Sequence, residues 1–238
     1  MSHALAIETS GRIGSISVLR DEVVVAEEEF PHGLQHAAQI VPIIDRLIGA
    51  QGWGPGDIEQ LFVSQGPGSF TGLRIGITLA KTMALATGVK IVAVPSLRVL
   101  VENAPSDAKH VIIVLDAKRD QIFTARFERD GGSWIERESP RLSSLVEMLA
   151  SSPRPVHLLG EGIPYHEKSV PQDPGVIVTS VETWRARASA VAKIGIPLAR
   201  KSEFADPFKL APIYIRRPEA EEKYLERNPN SETRMTKQ

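Results

Sequence analysis

The sequence predicts an α/β fold in which one arrangement of elements occurs twice. Three observations carry this. Three strands, a helix, a strand and a helix follow one another from residue 4, and the same order starts again near residue 110. The opening strand of each series runs into an acidic residue, Glu8 in the first and Asp116 in the second. Between the two series stands Asn103-Ala104-Pro105-Ser106-Asp107, a turn-forming linker. The expected units are therefore 1–104, 109–215 and a charged tail, 216–238.

In the first unit, residues 4–7 are a short apolar strand ending in Glu8-Thr9-Ser10-Gly11, a turn-prone cluster. Residues 13–19 alternate and 22–30 follow, with Arg20-Asp21-Glu22 as the hairpin turn. Leu34, Ala37, Ala38, Val41, Ile44, Leu47 and Ile48 recur at helical spacing, so a helix is predicted over 34–50, with Pro42 removing one backbone donor inside it. Gly52-Trp53-Gly54-Pro55-Gly56 is a loop. A strand at 60–64, a helix at 71–87 and a strand at 89–94 closed by Pro95 complete the unit.

In the second unit, residues 111–115 form a strand, and 122–128 with 134–138 form a hairpin about Asp130-Gly131-Gly132. A short helix at 142–150, strands at 156–159 and 176–178, and a helix at 183–200 follow. Beyond residue 216 charged residues of both signs dominate, as in a surface extension.

Composition narrows the function. The chain has 238 residues, and its 42% hydrophobic content is enough for ordinary cores. It contains no cysteine, which excludes disulfides and thiolate metal sites. Neither a signal-peptide pattern nor an apolar run of the roughly 20 residues that span a bilayer is present. The expected location is the cytoplasm. With 28 basic against 29 acidic residues, the chain lacks the basic excess of a protein that grips RNA unaided.

The richest stretch is Gln65-Gly66-Pro67-Gly68-Ser69-Phe70-Thr71-Gly72-Leu73-Arg74-Ile75-Gly76. A strand, a glycine-rich turn and a helix entered through Ser69 or Thr71 present backbone N–H groups at a helix N-terminus, where a phosphate can sit. The same glycines are equally required by a tight turn alone. The stretch is not a P-loop, since the Gly-Lys-Ser/Thr ending is missing. Nor is it the dinucleotide fingerprint, whose spacing differs. His32 and His36 stand four apart, as zinc ligands on one helical face do, but no third ligand is near. No Ser-His-Asp set or Gly-x-Ser-x-Gly elbow is present.

The block Gly66–Gly76 closely resembles that of the TsaB (YeaZ) family of tRNA threonylcarbamoyladenosine proteins. So do Ile7-Glu8-Thr9-Ser10, Val41-Pro42-Ile43-Ile44, Val94-Pro95-Ser96-Leu97, Asp116-Ala117-Lys118-Arg119 and Pro212-Ile213-Tyr214-Ile215-Arg216-Arg217-Pro218-Glu219. The resemblance implies two actin-like (ribonuclease H-like) halves of βββαβα order, as in actin, Hsp70 and sugar kinases. It also implies a non-catalytic partner of a TsaD-like enzyme, acting with a TsaE-like ATPase to modify adenosine 37 of tRNA. The chain would form a homodimer when alone, meet tRNA only through the complex and stay off membranes. No cofactor is required of this chain, with ATP–Mg held weakly or at the partner interface. Glu8, Thr9 and Ser10 stand as a vestigial phosphate loop. The His-x-x-x-His metal motif of TsaD is replaced by Pro95-Ser96-Leu97-Arg98-Val99-Leu100. The partner interface implied by the resemblance lies on the helices 34–50 and 71–87, at Ile40, Ile44, Leu47, Phe70, Leu73, Arg74, Ile77, Thr78, Lys81 and Leu85. These helices carry more apolar circumference than packing on one sheet requires. The alternative is a free-standing ATP-binding phosphotransferase of the same superfamily, resting on Glu8 and the glycine loop.

Overall fold

A computed structural model of the chain describes residues 1–31 and 35–216, and for residues 35–37 the backbone alone. The tail 217–238 and His32, together with the side chain of His36, lie outside the described residues.

The first half opens with β1 (His3–Glu8), β2 (Ile13–Arg20) and β3 (Val23–Pro31). Asp21 and Glu22 both have positive φ, the geometry a two-residue hairpin needs to match strand twist. Helix α1 (Gln35–Gly49), strand β4 (Gln60–Gly66), helix α2 (Phe70–Thr87) and strand β5 (Lys90–Pro95) follow. The sheet order is β3-β2-β1-β4-β5, with β1, β4 and β5 parallel and β2 and β3 antiparallel. The strand β1 is central, which is why Leu5, Ala6 and Ile7 read as an unbroken apolar run.

The second half contains β6 (His110–Ile113), β7 (Leu115–Asp116), β8 (Ile122–Asp130), β9 (Ser133–Ser143), β10 (Val156–Leu159) and β11 (Val176–Val178). Its strands run β9-β8-β6-β10-β11, with β6, β10 and β11 parallel. This is the order of the first sheet repeated, so the fold is a duplicated actin-like one.

The halves differ in their helices. Between β10 and β11, where the first half has α2, the second has only 3-10 turns at Ile163–Tyr165 and Glu167–Ser169. The final helix follows β11 and so corresponds to a six-residue helix, α3 (Ser96–Val101), that periodicity did not reveal. Six residues are too few to display a helical repeat, and Pro95 reads as a strand end.

Two predicted helix starts are corrected. Leu142 and Ser143 pair with Phe123 and Ile122, so β9 continues through them. Helix α4 (Leu145–Ala150) starts only after Ser144, whose hydroxyl accepts the Glu147 N–H at 3.2 Å. The predicted helix 183–200 is interrupted: α5 spans Ala188–Arg200. The stretch before it is pinned outside helix, because the Asn103 amide donates to the carbonyls of Thr183 and Arg185 and the Trp184 indole donates to Thr179 O.

Packing then crosses between the halves. The helices α1 and α2 cover one face of the first sheet with Ile40, Ile43, Ile44, Leu47, Ile48, Ile77 and Ala80. Its other face, at Ala4, Ala6, Phe62 and Val92, is covered by Ala188, Val191, Ala192 and Ala199 of α5. In return Leu97, Leu100 and Val101 of α3 pack on Val111, Ile113, Ala125 and Phe127 of the second sheet. After α5 the chain returns to the first half: Ala205 bridges Ile91 on the edge of β5, Leu210 is buried, and the Ile213 N–H donates to Gln65 O at 2.8 Å. Among the described residues no helix is long and apolar enough to cross a membrane.

The seat of α5 on the first sheet is tight at Gly195, where an added Cβ would stand 2.4 Å from the Phe62 ring. A Gly195→Val variant should lose about 1–3 kcal/mol by overpacking, read as a lower urea midpoint. Gly49, with nothing within 4 Å of its Cβ position, is the control. Gly49→Ala should leave stability unchanged or raise it by up to about 1 kcal/mol.

Candidate functional site

The turn after β1 lies against the start of α2, and this contact decides what the glycine-rich block does. Ser69 is the N-cap of α2, its hydroxyl accepting the Gly72 N–H at 3.2 Å, and Thr71 falls inside the helix. Gly88, with φ of 78°, ends it. The Ser69 N–H donates to Ser10 O at 2.7 Å. A Cβ on Gly68 would stand 2.4 Å from Ser10 O, and one on Gly72 would stand 2.0 Å from Thr9 O. Glycine is therefore needed here so that the backbone of Thr9 and Ser10 can lie in the turn. Two carbonyl oxygens, the negative ends of their dipoles, face the ground where a phosphate would need donors.

Glu8, Thr9 and Ser10 are all buried. The Ser10 N–H donates to Glu8 Oε1, and the Thr9 N–H donates to Ser64 Oγ at 3.5 Å. Burial pushes the Glu8 carboxyl above its ordinary value; hydrogen bonds from Ser10 and Ser64 act the other way, and the charge of Glu161 adds to the rise.

Across from this turn stands the loop after β10. The Arg12 N–H donates to Glu161 Oε2 at 2.9 Å, while the Arg12 guanidinium donates to the Tyr165 hydroxyl and lies over its ring at 5.0 Å. Ser10, Gly11, Ser96, Leu115, Glu161 and Trp184 line the small recess beneath. His166 Nε2 is 3.3 Å from Asp116 Oδ1. The counterparts Glu8 and Asp116 thus both sit at the junction of the halves, one buried and one half-buried. Sequence reasoning assigned no role to Arg12, Tyr165 or His166. The available signal was the pair Gly160 and Gly162: a Cβ on Gly162 would stand 2.4 Å from Asp116 N, so this loop has to lie directly on the Asp116 strand. Among the described residues no three His, Asp or Glu side chains are grouped as a metal site requires.

The two helices proposed for docking divide into inner and outer faces. Ile40, Ile44, Leu47, Leu73 and Ile77 are core residues, with Ile77 only 3% exposed. They hold α1 and α2 to the sheet and are covered by it in the chain on its own. The outer face of α2 presents Thr71, Arg74, Thr78, Thr82, Leu85 and Ala86, and Val41 is exposed on α1. Leu85 is 61% exposed and Val41 54%. Phe70, Arg74 and Lys81 hold the returning C-terminal strap. Phe70 stacks on Tyr214 at 4.7 Å, Arg74 Nε donates to the Tyr214 hydroxyl at 3.1 Å, and Lys81 Nζ donates to Leu210 O at 3.1 Å.

Comparison with known proteins places this geometry in context. The family profile described as TsaD, tRNA N6-adenosine threonylcarbamoyltransferase, matches residues 32–169. The tRNA threonylcarbamoyladenosine biosynthesis protein TsaB of Bacillus subtilis (strain 168) is 32% identical over 227 residues, covering 93% of this chain and 97% of the relative. The Escherichia coli (strain K12) protein of the same description is 32% identical over 139 residues, 57% of this chain and 59% of that one. Among solved structures, YeaZ from Pseudomonas aeruginosa superposes with a TM-score of 0.78 at 21% identity, covering 90% of this chain and 100% of that chain.

The buried Glu8 generates a pH prediction. Unfolded, it titrates near the ordinary 4.5; folded, it keeps its proton to higher pH. Between the two values the folded state binds more protons, so stability falls as pH rises. Glu8→Gln removes this dependence. Chemical denaturation across pH 4 to 8 should show the variant gaining on the native protein above 4.5 and holding no such advantage below it.

Proposed function

Because this chain belongs to the TsaB (YeaZ) family, we propose that it acts in forming threonylcarbamoyladenosine in tRNA, as a non-catalytic subunit that docks a TsaD-like enzyme. With a TsaE-like ATPase, that assembly transfers a threonylcarbamoyl group to adenosine 37 of tRNAs that read ANN codons. In the absence of the enzyme, two copies of this chain pair through the same face.

The observation that carries the docking role is the outer face of α2. It sets Leu85 and Ala86 among the small side chains of Thr71, Thr78 and Thr82, and the helix has no acidic residue from Phe70 to Thr87. Such a surface can be covered closely at little desolvation cost. The non-catalytic reading is supported by the site at the junction. Acyl or carbamoyl transfer needs an activated nucleophile, a metal or placed donors for developing charge. Here the helix end that would supply donors is filled by the carbonyls of Thr9 and Ser10. The same filling supports a chain that needs no nucleotide of its own.

Thr78→Glu and Leu85→Glu test the surface, since both positions are exposed and should cost the monomer no more than about 0.5 kcal/mol. An unpaired charge buried at the interface costs several kcal/mol. Both variants should fold normally by circular dichroism, fail to co-purify with the TsaD-like protein and lose tRNA modification in a reconstituted assay. Ile77→Glu, at a core position, should instead fail to fold. Folded α2 variants that still bind and support full modification would remove the docking surface from this helix.

A further inference from the structure

Arg74 is held on the outer face of α2 by aromatic side chains and no acid. Its guanidinium lies 3.9 Å from the centre of the Phe70 ring, and its Nε donates to the Tyr214 hydroxyl at 3.1 Å. Phe70 and Tyr214 are themselves stacked at 4.7 Å. The side chain is exposed, and its two Nη groups make no hydrogen bond or ion pair among the described residues. Other exposed arginines are spent on acids: Arg46 meets Glu28, Arg137 meets Glu128 and Arg154 meets Asp173. Neither segment beside Arg74 supplies one, since α2 has no acidic residue and the strap has none from Pro207 to Ile215.

The helix α1 carries a single acid, Asp45, which is exposed and likewise makes no hydrogen bond or ion pair among the described residues. Its direction follows from its neighbours. Ile43, Ile44 and Leu47 take the inner side of α1, and Arg46 turns toward β3, where its Nη2 reaches Glu28. Successive helical residues point about 100° apart, so Asp45 lies on the outer face, on the flank away from β3. The sheet order β3-β2-β1-β4-β5 sets α2, which packs on β4 and β5, on that same flank of α1. One face of the chain thus presents an unpaired anion and an unpaired cation that do not meet each other.

We propose that when two copies of this chain pair through this face, Arg74 of each receives the Asp45 carboxylate of the other. This rests on the self-pairing proposed above. Two-fold symmetry turns one such contact into two, because each copy offers both the cation and the anion. A guanidinium already stacked on Phe70 and bonded through Nε keeps its Nη edge in place for a carboxylate, so little side-chain freedom is lost on binding. Covering Arg74 without an anion would leave a buried, unpaired charge. The second copy's α2 and strap supply none, and its α1 supplies Asp45. The two pairs then set the strength of the dimer that an enzyme docking on the same face has to displace.

The test follows self-association of the full chain by sedimentation velocity over a concentration series, at low and at high salt. Arg74→Glu and Asp45→Arg should each fold as the native chain does by circular dichroism and weaken the dimer by about tenfold or more. The double variant Arg74→Glu/Asp45→Arg re-forms the pair in reverse and should recover much of the loss, which a merely structural role for either residue would not allow. Salt should weaken the native dimer more than the Arg74→Gln dimer. Unchanged association in either single variant would overturn the ion pair and leave self-pairing intact, provided Thr78→Glu and Leu85→Glu still disrupt it. Weakening in both single variants without recovery in the double variant would assign the two residues other partners and also overturn it. Loss of co-purification with the TsaD-like protein in Arg74→Glu, with the dimer unchanged, would give Arg74 to a carboxylate of the enzyme instead. A native chain that stays monomeric at every concentration would remove self-pairing and the inference with it, while enzyme docking is judged separately by co-purification.

Discussion

The structure depends on one close contact, the backbone of Thr9 and Ser10 pressed into the turn that begins α2. Only hydrogen atoms at Gly68 and Gly72 permit it, and the Ser10 carbonyl takes the Ser69 N–H in return. The contact joins the end of β1 to the start of α2, and it buries Glu8. A turn that could cradle an anion is thereby used as a packing joint. The Ser10 carbonyl points its negative end toward the N-terminus of α2 and accepts the Ser69 N–H there.

Around that joint the two halves share a sheet order and exchange helices. The exchange couples them. With α5 on the first sheet and α3 on the second, neither half can expose its sheet without disturbing the other's chain. The bond from the Arg12 N–H to Glu161 and the stack of Arg12 on Tyr165 close the junction from above. The strap adds a further tie, running along α2 and reaching the loop after β7 through Arg216. Surplus surface is left on α2, whose place in the second half is taken by short 3-10 turns. Departure from the internal repeat, rather than the repeat itself, leaves this face uncovered.

The docking surface proposed on this helix is read from what the chain's own core leaves over. Leu73 and Ile77 of α2 are buried against the sheet, while Leu85, the same residue type as Leu73, is 61% exposed. Thr71, Thr78 and Thr82 look unremarkable in sequence yet line the outer face. Hydrophobicity ranks residues for burial in general and does not distinguish burial against self from burial against another chain.

Much was nonetheless legible in the chain itself. Apolar periodicity located α1, α2 and most strands, because these patterns arise from one-sided burial and survive without tertiary detail. Both hairpin turns were readable at Arg20-Asp21-Glu22 and Asp130-Gly131-Gly132, since turn chemistry is local. The motif Gly66–Gly76 carried the family, and the repeated order of strands carried the duplication. Tertiary structure alone decided the rest. Whether Gly68 and Gly72 serve a ligand or a neighbouring backbone depends on atoms far back in the chain, at Thr9 and Ser10. The break before α5 depends on Asn103 binding the carbonyls of Thr183 and Arg185 across the chain. Which side of α2 is free depends on where β4 and the strap lie. Each of these is a contact between segments remote in sequence, and such a contact leaves no periodic trace in either segment.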